Sequence, residues 1–350
     1  MLRILPFFEV RSIHIRRHLS KRQPACIFFA LGWCEKYAAH LTVFRDSEYT
    51  HTPSPLFTQK YMPLHSDRTE IKMNFTKMHG IGNDYIYFNG FEEKIENPGE
   101  LSVKLSDRHK GVGGDGIVII LPSDRADFKM RMFNADGSEG KMCGNATRCI
   151  GKYVYDKGMT DKTNITLETL SGIKKLHLTV KDGSVESVTV DMGKAEFEAK
   201  KIPVLADTSE VINKRVHIAG KDINITCVSM GNPHCVIFCD EISGLDLEKT
   251  GPLYENDKMF PDRINTEFVE VINEHELAMR VWERGSGETM ACGTGACAVT
   301  AAAVRNGICK ADEFITVHLL GGDLKIKYCS DNSVIMQGGA EFVFEGKIID

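Results

Sequence analysis

Two cysteines of this chain stand in matching sequence surroundings. Met142-Cys143-Gly144-Asn145 opens one helical stretch and Ala291-Cys292-Gly293-Thr294 opens another, at an offset of 292 − 143 = 149. The same offset relates two further pairs, Asn83 with Asn232 in glycine-rich turns and Asn134 with Glu283. A shared offset predicts a duplicated half-chain, in which two equivalent cysteines face one substrate from opposite sides. Such an arrangement suits the inversion of a stereocentre.

The size and composition are those of a soluble globular protein. The 350 residues are enough for two domains with separate cores, and 42% hydrophobic and 26% charged residues are ordinary values. The net charge of −5 hides an asymmetry, because residues 1–72 carry a surplus of Lys and Arg and residues 73–350 are acidic. An acidic body without a basic stripe argues against a nucleic-acid partner.

The cysteine count indicates a reducing compartment, and we therefore expect a cytoplasmic protein. Eleven cysteines are too few for a disulfide scaffold in a chain this long, and an odd number leaves at least one unpaired. No pair has the Cys-x-x-Cys spacing of a zinc or redox motif, so we predict no metal site. Cys235 and Cys239 flank an apolar run and are expected to be core residues.

Residues 1–72 differ in character from the rest. Arginines and lysines precede an apolar run, Ala25 to Leu31, which is far too short to span a bilayer. A targeting peptide is one interpretation. We favour an upstream extension from a misplaced start codon, because Met73 begins a natural-looking protein start; we expect the extension to be poorly ordered and unnecessary for activity.

From Phe75 onward the chain alternates short strands with a few helices. Strands are predicted over Tyr85–Asn89, Gly116–Leu121, Phe128–Phe133, Ile165–Thr169, Lys175–Val180, Val185–Val190 and Ser333–Phe344. Helices are predicted over Pro98–Arg108, Ala146–Lys157 and Gly295–Asn306. The pattern indicates an α+β protein of two similar domains, with a lone helix in each half. We place them at 73–205 and 206–350, and the last strand is free to pack onto either domain.

The segment Gly111-Val112-Gly113-Gly114-Asp115-Gly116 formally matches the dinucleotide-binding pattern G-x-G-x-x-G. That site requires a strand before the glycines and a helix after them. Here the order is inverted, so we predict a tight loop beside the active cleft instead.

Cys143 and Cys292 are the candidate catalytic residues. A cysteine at a helix N-terminus has its thiolate stabilised by exposed N–H groups, so its pKa is expected to fall towards neutrality. One thiolate then removes an α-proton while the opposite thiol delivers another. Gly144 and Gly293 let backbone amides approach a carboxylate. Inert buried cysteines are the alternative, which the matched pair disfavours; no electron-sink cofactor is evident.

A set of polar side chains accompanies the cysteines. An asparagine in a glycine-rich turn is usually structural, and a Glu-Arg pair after a strand is often a solvated ion pair. Taken together they suit a substrate with more than one amino-carboxylate end, with Arg284 for a carboxylate and Glu283 for an ammonium. The set comprises Asn83, Asn134, Asn232, Asn265, Glu283 and Arg284.

These motifs closely resemble the diaminopimelate epimerase family. The resemblance runs from about Asn74 to the C-terminus and is carried by Phe75–Asp84, Phe133–Glu139, Met142–Asn145, Met230–His234, Trp282–Thr289 and Ala291–Gly295. It implies a pyridoxal-independent, two-base interconversion of L,L- and meso-diaminopimelate in lysine and peptidoglycan-precursor synthesis. It also implies two pseudo-symmetric domains, each a mostly antiparallel β-sheet wrapped around a central helix.

By the same resemblance, Cys143 and Cys292 form the acid/base pair. Gly144, Asn145, Gly293 and Thr294 bind the reacting carboxylate, and the polar set above recognises the rest of the substrate. The chain departs from the family at Ala146, where glycine is usual, and at Gly116, where some members have glutamine. No catalytic group is lost.

Three further possibilities follow. A proline or hydroxyproline racemase of the same fold is the nearest alternative, although Glu283-Arg284 favours a substrate with a charged far end. A non-catalytic thiol redox protein, whose Cys143 and Cys292 would pair as a disulfide, is the alternative from another class. The family also implies a possible homodimer.

Overall fold

The computed structural model describes residues 72–349. Its first half contains helices α1 (Pro98–Ser106) and α2 (Gly144–Asp156) and strands β1 (Lys72–Gly80), β2 (Asn83–Asn89), β3 (Gly116–Leu121), β4 (Phe128–Asn134), β5 (Glu139–Gly140), β6 (Asn164–Thr169), β7 (Gly172–Lys181) and β8 (Ser184–Lys194). Its second half contains helices α3 (Leu247–Glu255) and α4 (Gly293–Arg305) and strands β9 (Lys214–Ile218), β10 (Lys221–Ser229), β11 (Pro233–Cys239), β12 (Asn265–Asn273), β13 (Glu276–Glu283), β14 (Gly287–Glu288), β15 (Phe314–Leu319), β16 (Gly322–Tyr328), β17 (Ser333–Gly338) and β18 (Glu341–Ile349). A 3-10 turn at Ala199–Lys201 lies between the halves. The predicted extension lies outside the described residues except for Lys72.

The two halves repeat the same architecture at the offset found in the sequence. Helix α3 begins and ends 149 residues after α1 (247 − 98 and 255 − 106), and α4 stands in the same relation to α2. The strand pairing repeats as well: β2–β3 and β4–β6 are parallel in the first half, as β11–β12 and β13–β15 are in the second. The remaining pairs are antiparallel, which confirms the predicted α+β fold of two pseudo-symmetric, mostly antiparallel sheets.

The repeat extends to individual side chains. On β4, Arg131 forms a two-pronged ion pair with Glu139, with Nε–Oε1 2.7 Å and Nη2–Oε2 3.1 Å. On β13, Arg280 forms the same pair with Glu288 at 2.7 and 3.0 Å. Bidentate pairs of this kind hold a fixed geometry, so each turn that follows β4 or β13 is tied to its strand in the same way.

Two antiparallel contacts connect the halves. Strand β17 pairs with β8, and β18 pairs with β1. The single strand predicted over Ser333–Phe344 is therefore wrong. The chain leaves the sheet at Gly339–Ala340, so that β17 stays in the second half while β18 crosses to the first. A Cβ at Gly338 would lie 2.5 Å from Leu324, which shows how closely the chain packs there.

Helices α2 and α4 lie at the centre of the fold. Residues 144–154 of α2 are all buried, and so are most of α4's alanines, because each helix is enclosed by the sheet of its own half. The apolar side chains of both helices belong to one continuous core cluster. The helix predicted over Pro98–Arg108 is found as α1, so the expectation of a lone helix in each half is wrong. Helices α1 and α3 cover the outside, where α3 buries only a few residues and was not predicted.

The glycine-rich loop between α1 and β3 has the order predicted from the sequence. A helix precedes it and a strand follows it, so it does not form a dinucleotide site. Gly113 adopts a left-handed conformation at φ 81°, and its carbonyl accepts a hydrogen bond from Lys77 Nζ. Within residues 72–349 no helix is long and apolar enough to cross a membrane.

Candidate active site

Cys143 and Cys292 occupy equivalent positions at the starts of the two central helices. Each residue is the extended N-cap, with φ −131° and ψ 124° at Cys143 and φ −113° and ψ 104° at Cys292. Each sulfur accepts a hydrogen bond from the amide three residues on, that of Ala146 at 3.5 Å and that of Gly295 at 3.3 Å. Both thiols are free. The helices therefore begin two residues earlier than predicted, because the cysteine itself caps each one.

The two helix N-termini converge on one place. Asn145 Nδ2, at the start of α2, donates to the carbonyl of Ala291 beside α4 at 3.1 Å. A Cβ at Gly144 would lie 2.7 Å from the Met336 methyl, and one at Gly293 would lie 3.2 Å from its sulfur. The Met336 side chain therefore packs against both glycines. Glycine at both positions lets the backbone of each helix start come close to Met336, and the first amides of both helices are present at this place for an anionic ligand.

The asparagine of each glycine-rich turn contacts the cap of its own helix. Asn83 Oδ1 accepts from Asn145 Nδ2 at 3.1 Å, and Asn232 Nδ2 donates to Thr294 Oγ1 at 3.3 Å. These two contacts are related by the repeat. Asn83 Oδ1 also lies 3.5 Å from the Cys143 sulfur, so the turn, the cap and the thiol form one unit.

Asp115 fixes the orientation of Asn83 and was not predicted. Its Oδ2 accepts from Asn83 Nδ2 at 2.6 Å and from the Asp84 amide at 3.0 Å. A carboxylate only accepts, so the amide nitrogen of Asn83 must face Asp115 and the carbonyl oxygen must face the thiol. Burial raises the pKa of Asp115, and the nearby Asp84 carboxylate adds to this. The hydrogen bond from the Asp84 amide, the charge of Arg108 and the hydrogen bond from Asn83 act the other way.

In the second half, a buried His–Glu pair takes the place of Asp115. His234 Nδ1 lies 2.6 Å from Glu267 Oε1, and both side chains are fully buried. The other ring nitrogen lies 3.1 Å from Asn232 Oδ1. Sequence analysis quoted His234 within a motif but gave neither residue a role. Glu267 lies in the part of β12 where five successive residues are buried, so no alternation marks it in the sequence. A carboxylate buried there needs a partner.

A cleft of about 880 Å³ reaches Ala291, the residue before Cys292. Neither Cys143 nor Cys292 lines it, and Asn232 does not line it either. Four members of the predicted polar set line it, namely Asn83, Asn134, Glu283 and Arg284, together with Arg108 and Arg263 on its rim. Asn265 does not line it. Asn265 lies underneath, where its Oδ1 accepts from the Arg284 amide at 2.8 Å and holds that residue at the wall.

The cleft carries groups of both charges. Glu283 accepts a hydrogen bond from Thr289, and burial raises the pKa of its carboxyl. Arg284 uses one nitrogen on the Asp262 carbonyl, at 2.8 Å, and keeps further N–H groups for a ligand. Asn134 Nδ2 donates to Ser138 at 3.0 Å. Such a wall suits a zwitterionic substrate.

The expected fall of the cysteine pKa values is wrong for this structure. Burial raises the pKa of Cys143, and the amides of Ala146 and Asn145 only partly offset it. Burial raises the pKa of Cys292 well above its ordinary range, and the carboxylates of Glu283 and Glu267 add to this. Desolvation of the thiolate therefore outweighs the helix N-terminus at both sites.

Within residues 72–349, no three His, Cys, Asp or Glu side chains are grouped in a way that could hold a metal ion. The arrangement offers two thiols, two sets of helix amides and a charged wall. It is suited to proton transfer at a carbon next to a carboxylate.

Comparison with known proteins identifies the family. The sequence pattern of the family described as diaminopimelate epimerase matches residues 75–198 and 226–343. A diaminopimelate epimerase of Acetivibrio thermocellus is 57% identical over 277 residues, covering 79% of this chain and 98% of the relative. One from Methanococcus maripaludis is 55% identical, with 79% and 99% covered.

Solved structures with low identity share the fold. A hydroxyproline epimerase from Agrobacterium vitis with bound trans-4-hydroxy-L-proline gives a TM-score of 0.58 at 16% identity, covering 79% of this chain and 92% of that one. A phenazine biosynthesis protein of the PhzF family from Bacillus anthracis gives 0.58 at 16% identity, with 80% and 99% covered.

Proposed function

This chain belongs to the diaminopimelate epimerase family, and on that premise we propose that it interconverts L,L- and meso-2,6-diaminopimelate by two-base proton transfer. The reaction serves lysine and peptidoglycan-precursor synthesis. The observation that carries the proposal is the pair of equivalent cysteine caps, Cys143 and Cys292, on two helices whose N-termini meet.

The reacting carboxylate lies against the amides of both helices. Gly144-Asn145 and Gly293-Thr294 present these amides, and the developing negative charge of the carbanion spreads onto the carboxylate they bind. This placement is supported by the closeness of both glycines to Met336, which leaves room for no side chain there.

Proton transfer takes place on both faces of the substrate. One cysteine, as thiolate, takes the α-proton and becomes a thiol. The other, as thiol, gives its proton to the opposite face of the carbanion and becomes the thiolate. The stereocentre is inverted, the enzyme's charge is unchanged, and the reverse reaction exchanges the two roles. No electron-sink cofactor enters these steps.

The charged wall recognises the remainder of the substrate. Arg284 binds a carboxylate and Glu283 an ammonium, while Asn83, Asn134 and Asn232 supply hydrogen bonds. Asn265 acts through the backbone of Arg284. A wall of this kind favours diaminopimelate over proline, which has no charged far end.

Three further proposals concern the domain bounds, the oligomeric state and the cellular compartment. We place the two domains at 73–205 and 206–350, with β18 returning to the first, as its pairing with β1 supports. A homodimer is supported by β18, which pairs with β1 alone among the described strands and exposes Val343 and Phe344. The cytoplasm is supported by the need to keep both site thiols reduced.

The decisive experiment follows the α-proton by NMR. Reduced enzyme is mixed with L,L-diaminopimelate in D₂O, and we expect loss of the α-proton signal together with meso product. Cys143→Ala and Cys292→Ala should abolish both. Cys149→Ala and Cys297→Ala, which remove buried thiols from the same two helices, should retain them.

Three outcomes would contradict the proposal. Exchange of L-proline but not of diaminopimelate by the intact, reduced protein would indicate the racemase alternative. Unchanged exchange in either Cys143→Ala or Cys292→Ala would remove the two-thiol mechanism. A reversible Cys143–Cys292 disulfide in a protein without exchange activity would indicate the redox alternative.

A further inference from the structure

Arg148, on the second turn of α2, is a fully buried cation without an acidic partner. Its Nη2 donates to Asn145 Oδ1 at 3.0 Å, its Nε donates to the Gly339 carbonyl at 3.1 Å, and its Nη1 lies 3.5 Å from the Met336 sulfur. Among residues 72–349 no carboxylate forms an ion pair with it. A buried charge without a counter-ion is strongly unfavourable, so an anion that forms near Arg148 would be stabilised.

The pKa values of the ionisable side chains around Arg148 indicate which of them can become that anion. Desolvation lowers the pKa of Arg148, and the groups that oppose this are three thiols and one phenol. Burial raises the pKa of Cys149 and of Cys297 to about 12, and it raises the pKa of Tyr87 well above its usual range. Cys143 is the remaining one of these four side chains, and it is the candidate catalytic residue at the start of α2.

The repeat places nothing comparable beside the other cysteine. The residue equivalent to Arg148 is Cys297 (148 + 149), which is uncharged. Cys292 instead faces two carboxylates, Glu283 on β13 and Glu267 on β12. The charge with the largest effect on the thiol pKa is therefore a cation for Cys143 and a carboxylate for Cys292.

We propose that Arg148 is a positioning residue which, when the pair of thiols carries one negative charge, places that charge on Cys143 rather than on Cys292. It also fixes the amide of Asn145, because the guanidinium only donates and so must face Oδ1. Asn145 Nδ2 is thereby directed to Asn83 and to the Ala291 carbonyl. The inference rests on the proposed function, since it assigns the starting roles of the two bases.

Other ionisable groups also face Cys143, and they do not reverse the preference for a thiolate at Cys143 over one at Cys292. Tyr85 and Tyr87 approach from β2 and Cys149 from α2, all with a raised pKa that keeps them neutral near pH 8. Glu283 on β13 disfavours a thiolate at Cys143, but it acts on Cys292 as well. Of these groups, only Arg148 favours the thiolate of one cysteine and not of the other.

The test titrates the two thiols in the free enzyme and needs no substrate. Iodoacetamide alkylation is measured from pH 6 to 11, with the modified Cys143 and Cys292 peptides quantified by mass spectrometry. For each thiol we compare the pH at which the alkylation rate reaches half its maximum, and not the rate itself, because the accessibility of a thiol alters only the rate. In the wild-type protein we expect Cys143 to have the lower midpoint, and a lower midpoint at Cys292 would overturn the inference.

Two substitutions separate charge from packing. Arg148→Met should raise the Cys143 midpoint by about 1 pH unit or more and leave that of Cys292 nearly unchanged. Arg148→Lys keeps the charge but loses the fork that holds Asn145, so the midpoint should stay near the wild-type value while KM rises. The acid limb of kcat/KM should move to higher pH in Arg148→Met alone.

A matched control lies on the same helix. Lys152 is also a buried cation, but it is paired with Asp156 at 2.8 Å. Lys152→Met should lower the melting temperature without moving the Cys143 midpoint. If Arg148→Met folds and leaves that midpoint unchanged, the inference fails even where isotope exchange proves the proposed function. If Arg148→Met does not fold, the wild-type order of midpoints and the Arg148→Lys titration decide.

Discussion

A single methyl group beside Cys292 should slow catalysis without unfolding the protein. Gly295 donates its amide to the Cys292 sulfur, and its φ lies in the ordinary helical range. A Cβ at this position would lie 3.0 Å from Glu267 Oε1 and 3.2 Å from both Cβ and Sγ of Cys292. Glu267 is held by His234 at 2.6 Å and has little freedom to withdraw. In Gly295→Ala the cysteine must therefore move.

The expected size of the effect follows from these distances. Contacts of 3.0–3.4 Å require a shift of a few tenths of an ångström. Since a misplacement of about 1 Å lowers a rate by about 10²-fold, kcat should fall by about 3- to 10-fold. Overpacking destabilises by about 1–3 kcal/mol, while replacing a helical glycine by alanine returns about 1 kcal/mol. The melting temperature should then fall by no more than about 8 °C.

The repeat provides the control. Ala146 occupies the equivalent position on α2, where it is fully buried and already carries the methyl group. Ala146→Gly should lower stability by about 1 kcal/mol and change kcat less than about 2-fold. Both variants are assayed by exchange of the α-proton in D₂O and by calorimetry. Wild-type kcat in a folded Gly295→Ala protein, or an equal loss in Ala146→Gly, would refute the argument.

Three further results are expected. Asp115→Asn should raise KM about 10-fold in steady-state kinetics with a smaller change in kcat, because Asn83 loses a charge-assisted acceptor; an unchanged KM would show that Asn83 does not need it. Burial raises the pKa of Cys149 to about 12, above that of an unfolded thiol near 8.5. The unfolded state therefore releases this proton first as the pH rises. The contribution of Cys149 to the free energy of unfolding is full below about pH 8.5 and is lost as the pH rises towards 12. At pH 10 the loss is about 2 kcal/mol, and Cys149→Ala should show a weaker fall in melting temperature between pH 7 and 10 than the wild type. Gly251→Ala should destabilise the second half by about 3 kcal/mol or more, since its Cβ would lie 2.2 Å from the Trp282 ring; retention of the wild-type melting temperature would contradict this packing.

Sequence reasoning was accurate where a local pattern determines the structure. Strand β3 has the predicted bounds, because a run of apolar residues follows a glycine and is buried along nearly its whole length. The starts of α2 and α4 were placed two residues late, since the cap is a cysteine, which is not among the usual capping residues. The position of each cysteine was nevertheless informative.

Helix α3 was missed although the sequence contained a signal for it. It is nine residues long and contains Pro252, both of which weaken a local prediction. The offset of 149 applied to Pro98–Ser106 would have placed a helix at Leu247–Glu255, where it is found.

The unpredicted residues of the site share a different property. Arg148, Asp115, His234 and Glu267 are polar residues whose importance comes from burial or from a partner distant in sequence. Neither is visible in local composition. The pKa expectation was wrong for the same reason, because the helix N-terminus is a local feature whereas desolvation depends on the whole fold.

In the proposed mechanism the duplicated fold supplies two bases, but the chemistry requires them to differ in protonation at every moment. Two thiols in identical surroundings would share one negative charge equally, and half of the molecules would meet a given stereoisomer in the wrong state. Here the repeat is kept in the caps and asparagine contacts, and it is broken in the surrounding charges. The charge of Arg148 lowers the pKa of Cys143, while two carboxylates, Glu283 and Glu267, raise that of Cys292. The symmetry provides the geometry for inversion, and the departure from it determines which thiol begins.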